Sequence, residues 1–507
     1  MPLQTASTES SYWEKLSHRL TPNRVISLFL TFLFVALLGW AISSPVGATP
    51  DEDYHLASIW CGQGFRENYC EPATAENERV VPETLLRASQ CFAFAPAQPA
   101  GCIDYSSEPT ISTSRVNSNS SYPPVFYWAN SWLVSGNIEI SVLLMRIFNA
   151  LIFIVPLGIL ALLSKISIRK SLLIGTVVTL IPLGMFIIPS INPSSWAISS
   201  AVITWGSVYS FLVEHKLSRK IVFGALAVLG IIIGAGARSD SAAYAILAIG
   251  VAVLLARMEL RRFSKGFLFP AVITAIPIIF FFASGQSAVV GAQEASQPLV
   301  DISLPQLIAK NLLELPSLMV GSLGTWGLGW LDTQMPATVW VSSVFCLISI
   351  LFSGIKFMNS GKTITMVATF AAMVVVPLYV LVHDHIIVGT GVQPRYIFPL
   401  LIILVQLSLY ATPLVSSILS RSQIFIIVAL MAAANAIALH FNTRRYVTGI
   451  TANGWNLNSN NAWWWNISIF SPMVNWAIGS LAFLIALIFV FCFRFEKHSV
   501  KTSLASA

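Results

Sequence analysis

The stretch that decides the fold begins as Val25-Ile26-Ser27-Leu28-Phe29-Leu30-Thr31-Phe32-Leu33-Phe34-Val35-Ala36-Leu37-Leu38-Gly39-Trp40-Ala41-Ile42. It continues, after one serine, as Ser44-Pro45-Val46-Gly47-Ala48-Thr49-Pro50-Asp51-Glu52-Asp53-Tyr54-His55. The first part is long enough and apolar enough to cross the hydrocarbon core of a bilayer as a helix. The second breaks that helix with Pro45 and Gly47 and then places three acids and a histidine where the chain leaves the membrane. Val46-Gly47-Ala48 has the small residues of a leader cleavage site. The apolar core before it exceeds the ~7–15 residues of such leaders, so the segment is read as an anchored span.

Outward from this stretch the same pattern recurs. The 507 residues are 55% hydrophobic and only 10% charged, a composition that soluble domains do not share. Apolar segments at 25–43, 138–163, 172–189, 195–213, 221–237, 241–256, 266–284, 337–354, 364–382, 396–411, 423–440 and 472–493 predict an all-α polytopic membrane protein of about twelve transmembrane helices. Lys and Arg set its orientation, because cytoplasmic loops carry their excess. Of the 29, 19 fall in both termini and in the loops around Lys165, Lys216, Arg257, Lys356 and Arg421. Of the 22 acids, 17 fall on the other side or its rim. The predicted arrangement is a cytoplasmic N-terminus (1–24), a membrane domain (25–493) and a cytoplasmic tail (494–507). Extracytoplasmic loops occupy 44–137, 285–336 and 441–471. The net charge of +7 follows from this topology and gives no support to nucleic-acid binding.

The loop 44–137 is too long for a connector and is read as a folded cap. Its Cys61, Cys70, Cys91 and Cys102 suit an oxidising compartment, and pairing of sequence neighbours, Cys61 with Cys70 and Cys91 with Cys102, is expected. Asp51 to Trp60 predicts a helix with Thr49 as N-cap and Pro50 in the first turn, which sets His55 on the face of Asp51 and Glu52. Ser106 to Ser121 reads as flexible. Leu304 to Val320 reads as an amphipathic helix, with Gly324 to Pro336 after it. Arg146 lies inside an apolar run, where a charge is costly unless paired or wet.

The chemistry suggested by the outward face is transfer of a sugar carried on a lipid phosphate. A carboxylate among Asp51 and Glu52 serves as general base toward an acceptor hydroxyl, with His55 beside it. Arg238, Arg395, Arg444 and Arg445, with His383, are candidates to hold the phosphate, since a guanidinium fork matches phosphate oxygens. Asp53, Tyr122, Asn192, Asp240, Trp330, Asp332, Gln393 and Tyr396 are candidate contacts. Each has a plainer reading: Arg238 and Asp240 as a salt bridge, the acids as a helix cap, the aromatics as an interfacial belt. Glu52-x-x-His55 lacks the first histidine of the helical zinc motif, so no metal is expected, and no nucleotide loop or other cofactor motif is present. A lipid-linked sugar flippase or transporter, with Arg146 lining a path, and a non-catalytic envelope-assembly protein are the rival readings.

Several short motifs in order carry a resemblance: Pro50-Asp51-Glu52-x-x-His55, Tyr122-Pro123-Pro124, Ile191-Asn192-Pro193-Ser194, Arg238-x-Asp240, Leu328-Gly329-Trp330-Leu331-Asp332-Thr333 and Gly391-Val392-Gln393-Pro394-Arg395-Tyr396. In this order they resemble an uncharacterised family of bacterial integral membrane proteins common in actinobacteria, itself similar to the GT-C superfamily of polyprenyl-phosphate-dependent glycosyltransferases. Pro394 departs from the family, which more often has Gly before Arg-Tyr. The resemblance implies an inverting hexosyl- or pentosyltransferase of the inner (plasma) membrane with an extracytoplasmic active site. Asp51 matches the catalytic base by position, with Glu52 or Asp53 in reserve. The implied partners are a polyprenyl-phosphate sugar donor, a cell-envelope polysaccharide or glycolipid acceptor, and membrane lipids. An actinobacterial setting points to arabinofuranose as the sugar.

Overall fold

The computed structural model describes residues 20–105, 109–260, 265–285, 302–412, 418–465 and 470–493. The predicted cytoplasmic N-terminus therefore lies outside the described residues except for its last five. The tail 494–507, most of the polar stretch 285–301, and the basic residues Lys15, Arg19, Arg261 and Arg262 also lie outside them.

Helix α1 (Pro22–Ile42) starts where the Thr21 side chain accepts from the Arg24 amide, with Pro22 in the first turn, a position that does not need its missing N–H. It ends at Ser43, before Pro45. Gly47 then turns the chain at φ 81° in a space closed by α3 (Thr84–Gln90), where a Cβ would come within 2.6 Å of the Ser89 amide nitrogen. Only glycine fits there.

Among the described residues, ten helices are long and apolar enough to cross a membrane. They are α1, α5 (Ile138–Leu163), α8 (Ser194–Val213), α9 (Leu217–Ala235), α10 (Ser239–Leu260), the pair α11–α12 (Leu268–Ile273 and Ala275–Ala283), α14 (Ala337–Ile355), α15 (Ser360–His383), α17 (Arg421–Val447) and α18 (Pro472–Cys492). The two other expected spans differ. The run 172–189 is broken into α6 (Ile166–Val177) and α7 (Leu183–Ile187), because Pro182 lacks the N–H that a continuous helix needs. The run 396–411 becomes α16 (Pro394–Leu409). At 1.5 Å per residue it is about 24 Å long, shorter than the ~30 Å hydrocarbon core.

Helix α8 is the hub, buried along nearly its whole length against α5, α9, α10 and α16. Some of its buried hydroxyls bond within the helix, as when Ser199 donates to the Ser195 carbonyl at 3.0 Å and Thr204 to the Ser200 carbonyl at 2.7 Å. Gly39 of α1 and Gly479 of α18 meet so closely that a Cβ on Gly39 would stand 2.9 Å from the Gly479 Cα. Close small-residue contact of this kind is how helices associate in lipid, where apolar burial alone gives little. Large apolar side chains such as Phe282, Leu313, Phe352, Val367 and Phe425 face outward.

The folded cap is present, but it is not all helix. Between α2 (Glu52–Trp60) and α4 (Val125–Ser131) it holds α3 and a three-stranded antiparallel sheet of β1 (Glu71–Pro72), β2 (Arg79–Pro82) and β3 (Thr110–Thr113). This corrects both the all-α expectation and the flexible reading of Ser106 to Ser121. In that stretch β3 pairs with β2 and only 106–108 lie outside the described residues. Both expected disulfides, Cys61–Cys70 and Cys91–Cys102, are formed. Helix α13 (Leu304–Val320) has the expected bounds and packs Leu315 and Leu318 against Leu381, Ile386 and Ile397 of the α15–α16 end.

Candidate functional site

Helix α2 begins one residue later than expected, and its cap is reversed. Thr49 does not cap it. Instead the Glu52 carboxylate accepts from the Thr49 amide (2.8 Å) and hydroxyl (2.9 Å). Asp51 stands at the N-cap position in the left-handed conformation, φ 58°, with no capping bond, a geometry Asp tolerates better than most residues. The twist turns its side chain away from its own helix toward α16, and the three consecutive acids part company.

Glu52 is fully buried and faces Arg146, also buried, at 3.2 Å. Arg146 further donates to the carbonyls of Ala41 (2.8 Å), Ser44 (2.5 Å) and Pro45 (2.7 Å). The expected intramembrane cation is thus a joint between α5 and the end of α1. Glu52 is committed to it and has no freedom to act as a base. Asp53 is gripped by both Nε (2.5 Å) and Nη2 (2.8 Å) of Arg115.

Asp51 alone keeps a half-exposed carboxylate, 2.9 Å from Arg395 Nη2 and 3.8 Å from Arg115. Burial pushes the Asp51 carboxyl up, but Arg395, by charge and by hydrogen bond, with Arg115 beyond it, more than offsets this and holds it below the usual carboxylate range. His55 lies behind it, buried, with Nδ1 3.0 Å from the Tyr127 hydroxyl and its ring among Tyr54, Tyr122 and Tyr127. Desolvation lowers its pKa to about 3, so it is neutral at ordinary pH. In this position His55 supports Tyr127 and the floor of the site.

Arg395 is 5% exposed. Its Nη2 serves Asp51 and the Tyr396 hydroxyl (3.3 Å), while Nε and Nη1 are buried and have no hydrogen-bond partner among the described residues. Tyr396 lies under two guanidinium groups, with Arg395 5.2 Å and Arg238 4.5 Å from its ring centre. Arg238 is held by Asp240 through Nε (2.9 Å) and Nη2 (2.7 Å), which realises the plainer reading of that pair and occupies Asp240. Asn192 donates to the Pro50 carbonyl at 2.9 Å and so fixes the approach to Asp51. A narrow crevice of about 20 Å³ is lined by Arg395 together with Pro50, Phe186, Trp326, Leu331 and Gln393. The cluster therefore gathers Asp51, His55, Tyr122, Arg238, Asp240, Arg395 and Tyr396, with Asn192 and Gln393 at its edge.

Other candidates fall elsewhere. Arg445 is buried on Asp332 (2.8 Å) and on the carbonyls of Phe92 (2.7 Å) and Gln98 (2.7 Å), which ties α17 to the cap and removes it as a phosphate ligand. Asp332 also accepts from the Phe94 amide, and Trp330 donates to the Gly47 carbonyl at 2.9 Å. Both anchor the 326–335 loop over the helix exit. Arg444 lies next to Arg445 on α17 and is not among the groups around Asp51. His383 bonds its neighbour Asp384 at 2.7 Å at the end of α15, away from the cluster.

Sequence reasoning missed Arg115, Tyr127 and Asn117. Asn117 bonds the Tyr54 hydroxyl and both backbone groups of Tyr122, and its amide donates to Ser58. The available signal was a single cation, Arg115, within the Ser- and Asn-rich run 106–121.

The sequence matches the family described as predicted membrane proteins (DUF2142) over residues 32–404. The chain belongs to this family. The matched part holds the second half of α1, the whole cap, the Asp51–Arg395 pair and most of α16, while α17 and α18 lie beyond it. The DUF2142 description names a membrane protein and no reaction. No curated protein and no solved structure matches the chain.

Proposed function

We propose that this DUF2142 protein is a GT-C-like inverting glycosyltransferase that moves a sugar, arabinofuranose by resemblance, from a polyprenyl-phosphate donor to a cell-envelope glycan on the extracytoplasmic side. In this reading the broken α6–α7 segment and the short α16 complete a bundle of twelve crossings, with both termini cytoplasmic and the disulfide-bearing cap outside.

One observation carries the reading: a half-exposed carboxylate, Asp51, faces a buried arginine, Arg395, that has two unpartnered nitrogens at the end of a crevice. Buried donors left without acceptors are costly, and a guanidinium with free donors in a closed site suits a phosphate. Asp51 takes the proton of an acceptor hydroxyl, and the acceptor oxygen attacks the anomeric carbon from the face opposite the phosphate. The bond from that carbon to the phosphate oxygen breaks, and polyprenyl phosphate leaves with the added negative charge beside Arg395. Arg238, neutralised by Asp240, contributes through the ring of Tyr396 more than as a direct ligand.

The test is sugar transfer in proteoliposomes supplied with polyprenyl-phosphate sugar and a glycan acceptor. Asp51→Asn is expected to cost at least about 10²-fold in rate while leaving yield and thermal unfolding unchanged. Near-normal turnover would overturn the assignment. Movement of the lipid across the bilayer with the glycosidic bond intact identifies a flippase instead, and full function after replacing both Asp51 and Arg395 identifies a non-catalytic assembly protein. The flippase reading has lost its residue, since Arg146 is bound to Glu52 and three carbonyls.

A further inference from the structure

The guanidinium of Arg395 has two edges that offer a pair of N–H donors, one made of Nε and Nη2 and the other of Nη1 and Nη2. Both share Nη2, the nitrogen that Asp51 and the Tyr396 hydroxyl already hold. Nε and Nη1 remain unpartnered, so the resting arrangement fills the shared donor and leaves one nitrogen open on each edge. An anion that grips either edge must therefore take Nη2 from a present holder. Of the two, Asp51 carries the charge that an incoming anion repels.

The surrounding charges make the exchange self-limiting. Arg115 is committed to Asp53 and Arg238 to Asp240, which leaves Arg395 and Asp51 as the pair each with spare capacity. Asp51, half-exposed, has room to move, whereas Arg395 is buried and stacked beside Tyr396. On leaving Arg395, the carboxylate still has Arg115 within reach.

We infer that the anionic group of the ligand and Asp51 exchange places on Arg395, so that seating the donor phosphate itself releases the carboxylate to act as base. The inference rests on Arg395 being the anion site of the reading above. It adds that the base is masked until the donor has bound, and that the freed carboxylate accepts a proton more readily, from the acceptor hydroxyl during turnover and from solvent toward acid pH when no acceptor is present. The groups facing Asp51 are Arg395 from α16, Arg115 from the cap, His55 from its own helix, and Tyr54 and Tyr122 beside it. Arg395 is the strongest charge holding Asp51 ionised, and diverting it to a phosphate weakens that hold.

The experiment measures binding of methyl farnesyl phosphate to the full chain in nanodiscs by titration calorimetry between pH 4 and pH 8. This diester carries one fixed negative charge across that range and no sugar. Wild-type binding is expected to tighten as pH falls and to take up protons, seen as a dependence of the heat on buffer ionisation. Asp51→Asn, which cannot hold Arg395 as an anion, is expected to bind at least fivefold tighter at pH 7, without the pH dependence or the proton uptake. Arg395→Ala, or Arg395→Lys if the alanine variant does not fold, is expected to lose at least tenfold in affinity. Unchanged affinity in the Arg395 variant would overturn the anion site and the inference with it. A normal loss there, combined with wild-type affinity and proton uptake in Asp51→Asn, would overturn the exchange alone.

Discussion

Glu52 and Asp51 are adjacent, carry the same charge and have different work, and the difference comes from one backbone angle. The left-handed φ at Asp51 turns its carboxylate out toward α16, while the first turn of α2 points Glu52 inward to Arg146. Removing one partner of a buried ion pair strands the other charge, at a cost of roughly 3–5 kcal/mol. Arg146→Ala is therefore expected to lower the thermal midpoint and folded yield sharply in size-exclusion and unfolding assays, and Arg146→Met with Glu52→Gln to regain part of the loss. His55 gives a second test. Its folded pKa of about 3 lies below the unfolded value of 6.5, so the unfolded chain binds the extra proton between these limits. Stability should thus fall as pH drops from 6.5 toward 3, and His55→Asn should show a shallower fall in thermal midpoint over that window. Residue types alone pointed to this patch of acids, but they did not rank them. The ranking needed the turn at Asp51 and the partners brought by Arg115, Arg146 and Arg395 from distant parts of the chain.

The cap is held at the level of elements by backbone contacts that periodicity does not report. The loop closed by Cys91–Cys102 clasps the end of α17: Arg445 donates to two of its carbonyls, and the Ile450 amide donates to Pro96 at 2.9 Å. Gly449 sits in this clasp at φ 82°, and a Cβ there would come within 2.2 Å of the Ala97 carbonyl oxygen. Gly449→Ala should cost at least about 1–3 kcal/mol of local stability from the backbone angle alone. The expected readout is faster amide exchange and proteolysis in the 91–102 loop, with the α8–α10 core unchanged. Equal protection in the two proteins would show that the clasp is not needed to order the cap. Helices with a clear run of apolar periodicity were legible at this scale, as the bounds of the amphipathic α13 show, while its Ser303 capping box emerged only in the structure. The sheet was missed because its strands are two to four residues long and lie in polar sequence. The break between α6 and α7 was missed because hydrophobicity continues through Pro182.

For the whole molecule, hydrophobic length gave the class and most of the spans, and loop charge gave an orientation. The residues that meet at Asp51 come from α2, the cap, the turn before α10, and α16, and no linear spacing announces that meeting. The orientation can be checked on a Cys492→Ser background. Asn460→Cys, in the last cap-side loop, should react with a membrane-impermeant maleimide on intact cells, and Met358→Cys, between α14 and α15, only after permeabilisation. The reverse pattern would invert the topology and place the cluster in the cytoplasm. The Arg146 joint also bears on how the protein is made. The four groups that accept its hydrogen bonds, from Ala41, Ser44, Pro45 and Glu52, precede it in the chain. They have already left the ribosome when α5 is synthesised, so the helix carrying the most awkward charge enters the bilayer with its counterparts already waiting. Insertion of α5 should accordingly depend on α1 being in place, and biogenesis of the bundle is ordered by a charge rather than by hydrophobicity alone.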